Sequence, residues 1–237
     1  SGLIWANLPA GNALDAWDFL TNQARWNGAG IGPLSNTPGW SYTRASTGYA
    51  QTSAGALTSF ASGELRRTDK GVLLEGARTN LFTYSQQLDL GSGAPWNHTG
   101  VTVTANATSA PDGTTTADKI VEVNAAGVPR IANGSLTVSA ATAHTFSIYA
   151  KAAERDQIRI VQEGSGAFSA YFLLTGVGTI SDLGGSAAAT ITALADGWYR
   201  CTLTWTTGGT NPQSYVATAS GGSTIASGDN KIGRAHV

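Results

Sequence analysis

The chain has 237 residues, a formal net charge of −1 and 12% charged side chains, with 37 Ala, 30 Gly, 30 Thr and 21 Ser but one Cys and no Met. That length fits one large domain, or one domain with a sizeable extension, and the near-neutral balance leaves no basic patch for nucleic acid and no acidic tail. One Cys excludes an internal disulfide or a multi-cysteine zinc site, and apolar runs such as Tyr171-Phe-Leu-Leu174 fall far short of the ~20 residues that insert across a bilayer.

The first 80 residues are irregular and Trp-rich, with Trp5, Trp17, Trp26 and Trp40. The missing Met and the opening Ser1-Gly2 suggest a fragment or a trimmed chain, and no signal peptide is read at the start. The best helical window is 13–20, after Gly11-Asn12, and it is short. Strand candidates at 39–43 and 71–75 suggest an arm or small β-layer over 1–80.

Beyond residue 80 the pattern changes to period-2 alternation, which gives each strand one buried and one wet face. Strands are expected at 101–104, 145–151, 157–161, 170–174, 190–193, 198–206 and 214–219, and Arg130 begins another. In 145–151, Phe146, Ile148 and Ala150 share one face, and Ser147, Tyr149 and Lys151 the other. Tyr199, Cys201, Leu203 and Trp205 also fall together, so Cys201 reads as a buried small hydrophobe. Turn signals lie at Pro111-Asp-Gly113, Gly164-Ser-Gly166, Gly184-Gly185, Asp196-Gly197 and Gly208-Gly209. Low charge, abundant Thr and Gly and short strands at near-regular spacing predict an all-β fold. It is an antiparallel β-sandwich (jelly roll) over 81–230 with an irregular Trp-rich N-terminal extension.

Several segments resemble a family of tailed-phage structural proteins, the head spike or tail fibre modules. They are Tyr42-Thr-Arg-Ala-Ser-Thr47, Gly71-Val-Leu-Leu-Glu-Gly-Ala-Arg-Thr-Asn-Leu-Phe-Thr-Tyr-Ser85, Ala110-Pro-Asp-Gly-Thr-Thr-Thr-Ala-Asp-Lys119, Phe146-Ser-Ile-Tyr-Ala-Lys-Ala152 and Gly197-Trp-Tyr-Arg-Cys201, together with Trp96 and Val101-Thr-Val-Thr-Ala105. The stretch is also similar to jelly-roll carbohydrate-binding modules of bacterial glycanases. The resemblance spans about 40–230. It implies a virion, extracellular setting, oligosaccharide or polysaccharide partners and room for a homo-oligomer in the virion.

One part departs from the pattern. The family closes with a strand carrying an aromatic-Gly-Ala-Gln sequence, whereas here the chain ends Lys231-Ile-Gly-Arg-Ala-His-Val237. Those residues can be encoded by AAG ATC GGA AGA GCA CAC GTC, which resembles a sequencing adapter read in frame from metagenomic DNA. Residues 231–237 are therefore expected to be a non-native tail, leaving the closing strand absent and a sheet edge unpaired.

The sequence offers little for catalysis. The histidines are His98, His144 and His236, and none sits in a zinc, phosphate-loop or Gly-x-Ser-x-Gly motif. His144 reads as a solvated turn residue and His98 as a turn cap. The acids Glu64, Glu75, Asp112, Asp118, Glu122, Glu154, Asp156, Glu163, Asp182 and Asp196 lie mostly at turns, and no pair stands out as a glycosidase couple. Asp112 could help hold a structural calcium as in related modules, yet one turn Asp cannot supply the ~6–8 oxygens calcium wants. No other cofactor is expected.

Sugar binding asks for exposed rings that stack on pyranose C–H faces and planar groups that hydrogen-bond hydroxyls. The candidates are Arg130, Tyr149, Lys151, Arg159, Tyr171, Arg200, Gln213 and Tyr215, with the face of 145–151, 157–163 and 213–217 as the site. The expected function is a non-catalytic glycan-binding module of a phage fibre or spike. A structural decoration or fibre-assembly module without a sugar ligand is the alternative. A glycan-degrading enzyme ranks third, for lack of a catalytic set.

Overall fold

The computed structural model describes residues 16–18, 23–25, 31–33, 43–75, 80–85, 87–91, 95–123, 128–134, 136–164, 166–185, 187–208, 213–219 and 231–233. The chain divides into two compact units, Ser1–Ala77 and Arg78–Val237. Among the described residues there is no α-helix, and every strand pairing is antiparallel.

In the first unit β1 (Ala16–Asp18), β2 (Gln23–Arg25) and β3 (Ile31–Pro33) form a three-stranded sheet. The helix expected over 13–20 is therefore corrected: Ala16–Asp18 pairs with Gln23–Arg25 instead. A window of eight residues is too short to hold a helix without strong packing, and a nearby strand offers the same backbone groups partners. The other residues of that window, and 39–42 of the strand expected at 39–43, lie outside the described residues; Thr43 is irregular. Two ribbons follow, β4 (Gly48–Gln51) with β5 (Leu57–Phe60), and β6 (Arg67–Thr68) with β7 (Gly71–Val72), so the strand expected at 71–75 is only its first two residues. The Tyr-Thr-Arg-Ala-Ser segment has a structural use here. The Arg44 guanidinium donates to the carbonyls of Ser46, Phe60 (3.1 Å), Ala61 (2.7 Å) and Glu64 (3.0 Å), tying the β5–β6 loop to the start of β4. Glu75 pairs with Arg66 at 2.7 Å.

The second unit holds two six-stranded sheets. Its strands are β8 (Trp96–Thr99), β9 (Val101–Thr108), β10 (Ala117–Glu122), β11 (Arg130–Asn133), β12 (Ala143–Lys151), β13 (Gln157–Glu163), β14 (Phe168–Leu173), β15 (Thr179–Gly184), β16 (Ala188–Ala193), β17 (Trp198–Thr206), β18 (Gln213–Ala219) and β19 (Lys231–Gly233). The first sheet runs β16-β17-β12-β19-β10-β9 and the second β15-β14-β13-β18-β11-β8. One hydrophobic cluster draws on both. The first sheet supplies Ile120, Phe146, Ile148, Cys201, Leu203 and Trp205; the second supplies Trp96, Ile131, Ile158, Ile160, Phe172 and Val216. Each contributes at alternate positions, as a pleated strand with one buried face must. The arrangement is sandwich-like.

The wet face of the first sheet explains the threonine content. Thr145 bonds Thr204 at 2.8 Å and Thr190 bonds Thr202 at 2.6 Å, so β-branched hydroxyls pair across neighbouring strands. The turn before β15 is set by glycine. Gly178 has φ +80, a conformation that strains any L side chain, and a Cβ there would meet Ile191 Cδ1 at 2.7 Å, so Ile191 would also have to shift.

Two expectations change. His144 is not a solvated turn residue. It lies within β12, half-buried, with its ring 6.5 Å from Trp205. It shares parity with Phe146 and Ile148, which turns it inward. The C-terminal segment also has a place. Lys231–Gly233 pairs with Val121, Ile120 and Lys119 of β10, and Gly233 with Lys151 of β12. The slot expected to be an open edge is filled by β19, because two strands facing each other across a gap offer backbone partners to any extended segment that reaches them.

Candidate functional site

The eight predicted residues fall on two different sheets. Arg130, Arg159, Tyr171, Gln213 and Tyr215 share the outward face of the second sheet; Tyr149, Lys151 and Arg200 share that of the first. The single face expected across 145–151, 157–163 and 213–217 is thus corrected to two. Alternation tells which residues of one strand share a face, but not which strands are neighbours.

On the second sheet the register sets Tyr171, Arg159, Ala217 and Arg130 in one row across β14, β13, β18 and β11. The next row is Ser169, Val161, Tyr215 and Ala132. With strands ~4.8 Å apart, the two arginine Cα atoms stand roughly 10 Å apart with small Ala217 between them. Ala132, Val161, Tyr215 and Ala217 form a second, separate buried cluster on this side.

The rings are not bare. The Arg159 guanidinium carbon lies 5.0 Å from the Tyr171 ring centroid, and that of Arg130 lies 5.1 Å from that of Tyr215. Tyr215 is only 5% exposed, so it is no stacking platform for a ligand. Its hydroxyl donates to Glu163 Oε1 at 3.0 Å. Burial pushes its pKa up, and the hydrogen bond and negative charge of Glu163 add to that.

Among the described residues neither guanidinium makes an ion pair. Arg159 donates to Ser169 Oγ at 3.2 Å, and its Nε is buried without a hydrogen-bond partner. With Nε buried, the capacity left for an incoming acceptor lies on the two terminal nitrogens. At the outward positions of β11, β13, β14 and β18 the charged residues are Arg130, Arg159 and Glu163, and exposed Asp182 lies in the bulge of neighbouring β15.

The first-sheet residues are less available. Tyr149 packs against the cluster of Ala110, Ala117 and Trp198. Exposed Arg200 donates from Nε to Ser147 Oγ at 3.2 Å, and Lys151 stands opposite Trp198. Asp112 Oδ1 accepts from Thr114 N (3.0 Å) and Thr114 Oγ1 (2.6 Å), which closes the Pro-Asp-Gly turn. No group of three or more His, Cys, Asp and Glu suited to a metal occurs among the described residues.

Most of the acids are engaged structurally. Glu122 pairs with Arg155 at 3.2 Å, Lys119 with Glu154 at 3.9 Å, and Glu64 Oε2 accepts from Ala61 N at 2.9 Å. The sequence reading missed a polar cleft of about 500 Å³ lined by residues including Tyr84, Gln87, Asp89, Asn106 and Asp118. No alternation marks it, because its walls come from an irregular loop and an interrupted strand pair.

A scan against protein-family models gives no match, and neither does a search of curated proteins.

Proposed function

We propose that the chain is a non-catalytic glycan-binding module of jelly-roll type, carried on a phage virion fibre or spike and adhering to host or environmental polysaccharide. The observation that carries this reading is the Tyr171–Arg159–Ala217–Arg130 row. Among the described residues it sets two guanidiniums that make no ion pair on the outward face of one sheet. Planar donors held in place by aromatic rings suit hydroxyl and carboxylate oxygens of a polysaccharide strand. The guanidiniums, not the rings, meet the ligand first, so chains bearing uronate or other acidic sugars are favoured. Micromolar to millimolar dissociation constants, roughly −8 to −4 kcal/mol, suit a few hydrogen bonds made in competition with water. Many copies on a virion would multiply the effect.

Affinity electrophoresis and calorimetry against acidic and neutral polysaccharides test this, with a reducing-sugar assay alongside. Retention by an acidic polysaccharide, weakened at high salt and lost in the Arg130→Ala/Arg159→Ala double variant, supports it. Released reducing ends would contradict the non-catalytic assignment. Absence of binding across a broad panel would favour the structural decoration module instead.

A further inference from the structure

The cleft at Tyr84 lies apart from the arginine row, and three unusual features converge on it. The first is backbone conformation. Five non-glycine residues of the described chain have positive φ, and two of them, Tyr84 (52°) and Asn106 (53°), line this cleft. Asn tolerates the left-handed region, but Tyr rarely enters it, and such residues concentrate where function holds them. The second is a bulge. Between the Ala117–Thr108 and Lys119–Thr104 pairs the β9–β10 ladder shifts register around Asn106, a device that re-aims side chains near binding sites. The third is an aromatic ring in the open. Tyr84 is 60% exposed beside a polar concavity.

The walls are fixed before any ligand arrives. Asp118, 2% exposed, accepts from Leu88 N at 3.0 Å through Oδ2 and from Asn106 N at 3.1 Å through Oδ1. One carboxylate thus ties the 80–91 loop to β9. Trp96 Nε1 donates to the Tyr84 carbonyl at 2.9 Å, and Gln87 N does so at 3.0 Å, which holds Tyr84 in its strained conformation. With both oxygens committed to backbone amides, Asp118 is a strut rather than a proton donor.

We infer that this cleft is a second binding site and that it takes a neutral pyranose. Its volume matches a small ligand. An exposed phenol ring asks for an apolar face to stack on, and a pyranose offers one through its C–H bonds. Asn106, Gln87 and Thr116 supply amide and hydroxyl partners for sugar hydroxyls. Among the described residues the lining has the acids Asp89 and Asp118 and no Lys or Arg, so an anionic sugar is repelled where the arginine row would attract it. The proposal shares only the ligand class with the reading above, and the two sites are separable by mutation.

The test is a titration of the full ¹⁵N-labelled chain, followed by amide shifts, with glucose, galactose, mannose and N-acetylglucosamine, and with glucuronate as the charged counterpart. At least one neutral sugar should shift the amides of Tyr84, Gln87 and Asn106, and glucuronate should bind at least tenfold more weakly. Tyr84→Gly should lose at least tenfold in affinity while the melting temperature holds. Glycine relieves the strained φ, and this offsets the freedom it adds to the unfolded chain. Tyr84→Asn, also at ease in that conformation, is the second ring-less variant and should behave alike. The Arg130→Ala/Arg159→Ala double variant should keep these shifts, and Tyr84→Gly should keep retention by acidic polysaccharide. No shift with any neutral sugar at ~100 mM, where even a very weak site fills, would overturn the inference. So would preference for glucuronate, undiminished binding in both Tyr84 variants, or calcium chloride alone moving the same amides with no effect of sugar.

Discussion

At the scale of single residues, buried polar groups decide the energetics. Trp96 and Trp205 are both buried, but Trp96 Nε1 has a carbonyl partner and Trp205 Nε1 has none. Replacing each by Phe removes similar apolar area, yet only Trp96→Phe loses a hydrogen bond, while Trp205→Phe removes a buried donor that has no partner. Chemical denaturation should show Trp96→Phe the more destabilising by about 1 kcal/mol. Glu122 is 6% exposed and paired with Arg155. Glu122→Ala removes one partner of this largely buried pair and should cost about 1–3 kcal/mol by the same measurement. Tyr215 titrates above its ordinary value because it is buried against Glu163. Its neutral form is the one the fold favours, so its contribution is complete below the unfolded tyrosine pKa near 10. It is lost as pH rises through the higher folded value. Tyr215→Phe should therefore flatten the loss of stability above about pH 10, and an unchanged alkaline limb would assign that loss to other groups.

At the scale of elements, the C-terminal strand matters most. β19 is short, but it sits between β10 and β12, and without it the first sheet has a gap. A solvated tail would change stability by no more than about 0.5 kcal/mol. Removing a strand that bridges two others leaves several ladder groups without partners at roughly 1 kcal/mol each. Deleting 231–237 should therefore lower the melting temperature by at least about 5 °C at ~2–4 °C per kcal/mol, read by calorimetry. The strands themselves were legible. Residues 198–206 alternate cleanly, with Tyr199, Cys201, Leu203 and Trp205 inward, and the expected and observed bounds coincide. β10 escaped notice because Ala117-Asp-Lys119 carries two charged residues where alternation would show one wet position, and buried Asp118 is satisfied by backbone amides that no local pattern reveals.

At the scale of the whole molecule, the pairings are distant in sequence. Thr145 meets Thr204 across 59 positions, and Glu163 meets Tyr215 across 52. Loop closure must precede the reward for such contacts, so refolding should take milliseconds to seconds in stopped-flow fluorescence, and a microsecond phase carrying most of the amplitude would contradict this topology. The sequence by itself determined the all-β class, the inward residues of the long strands and the burial of Cys201, because these follow from period-2 alternation within a few consecutive residues. It also singled out Arg130, Arg159, Tyr171 and Tyr215 as polar or aromatic residues of strands. Only the tertiary structure decided that these four stand together while Tyr149, Lys151 and Arg200 stand on the other sheet. It likewise decided that guanidiniums cover the Tyr171 and Tyr215 rings, that Lys231–Gly233 fills a gap, and that Tyr84 and Asn106 meet in one cleft. Each of those facts depends on which distant segments become neighbours, and strand order is set by the shared core of two sheets rather than by any property of one segment.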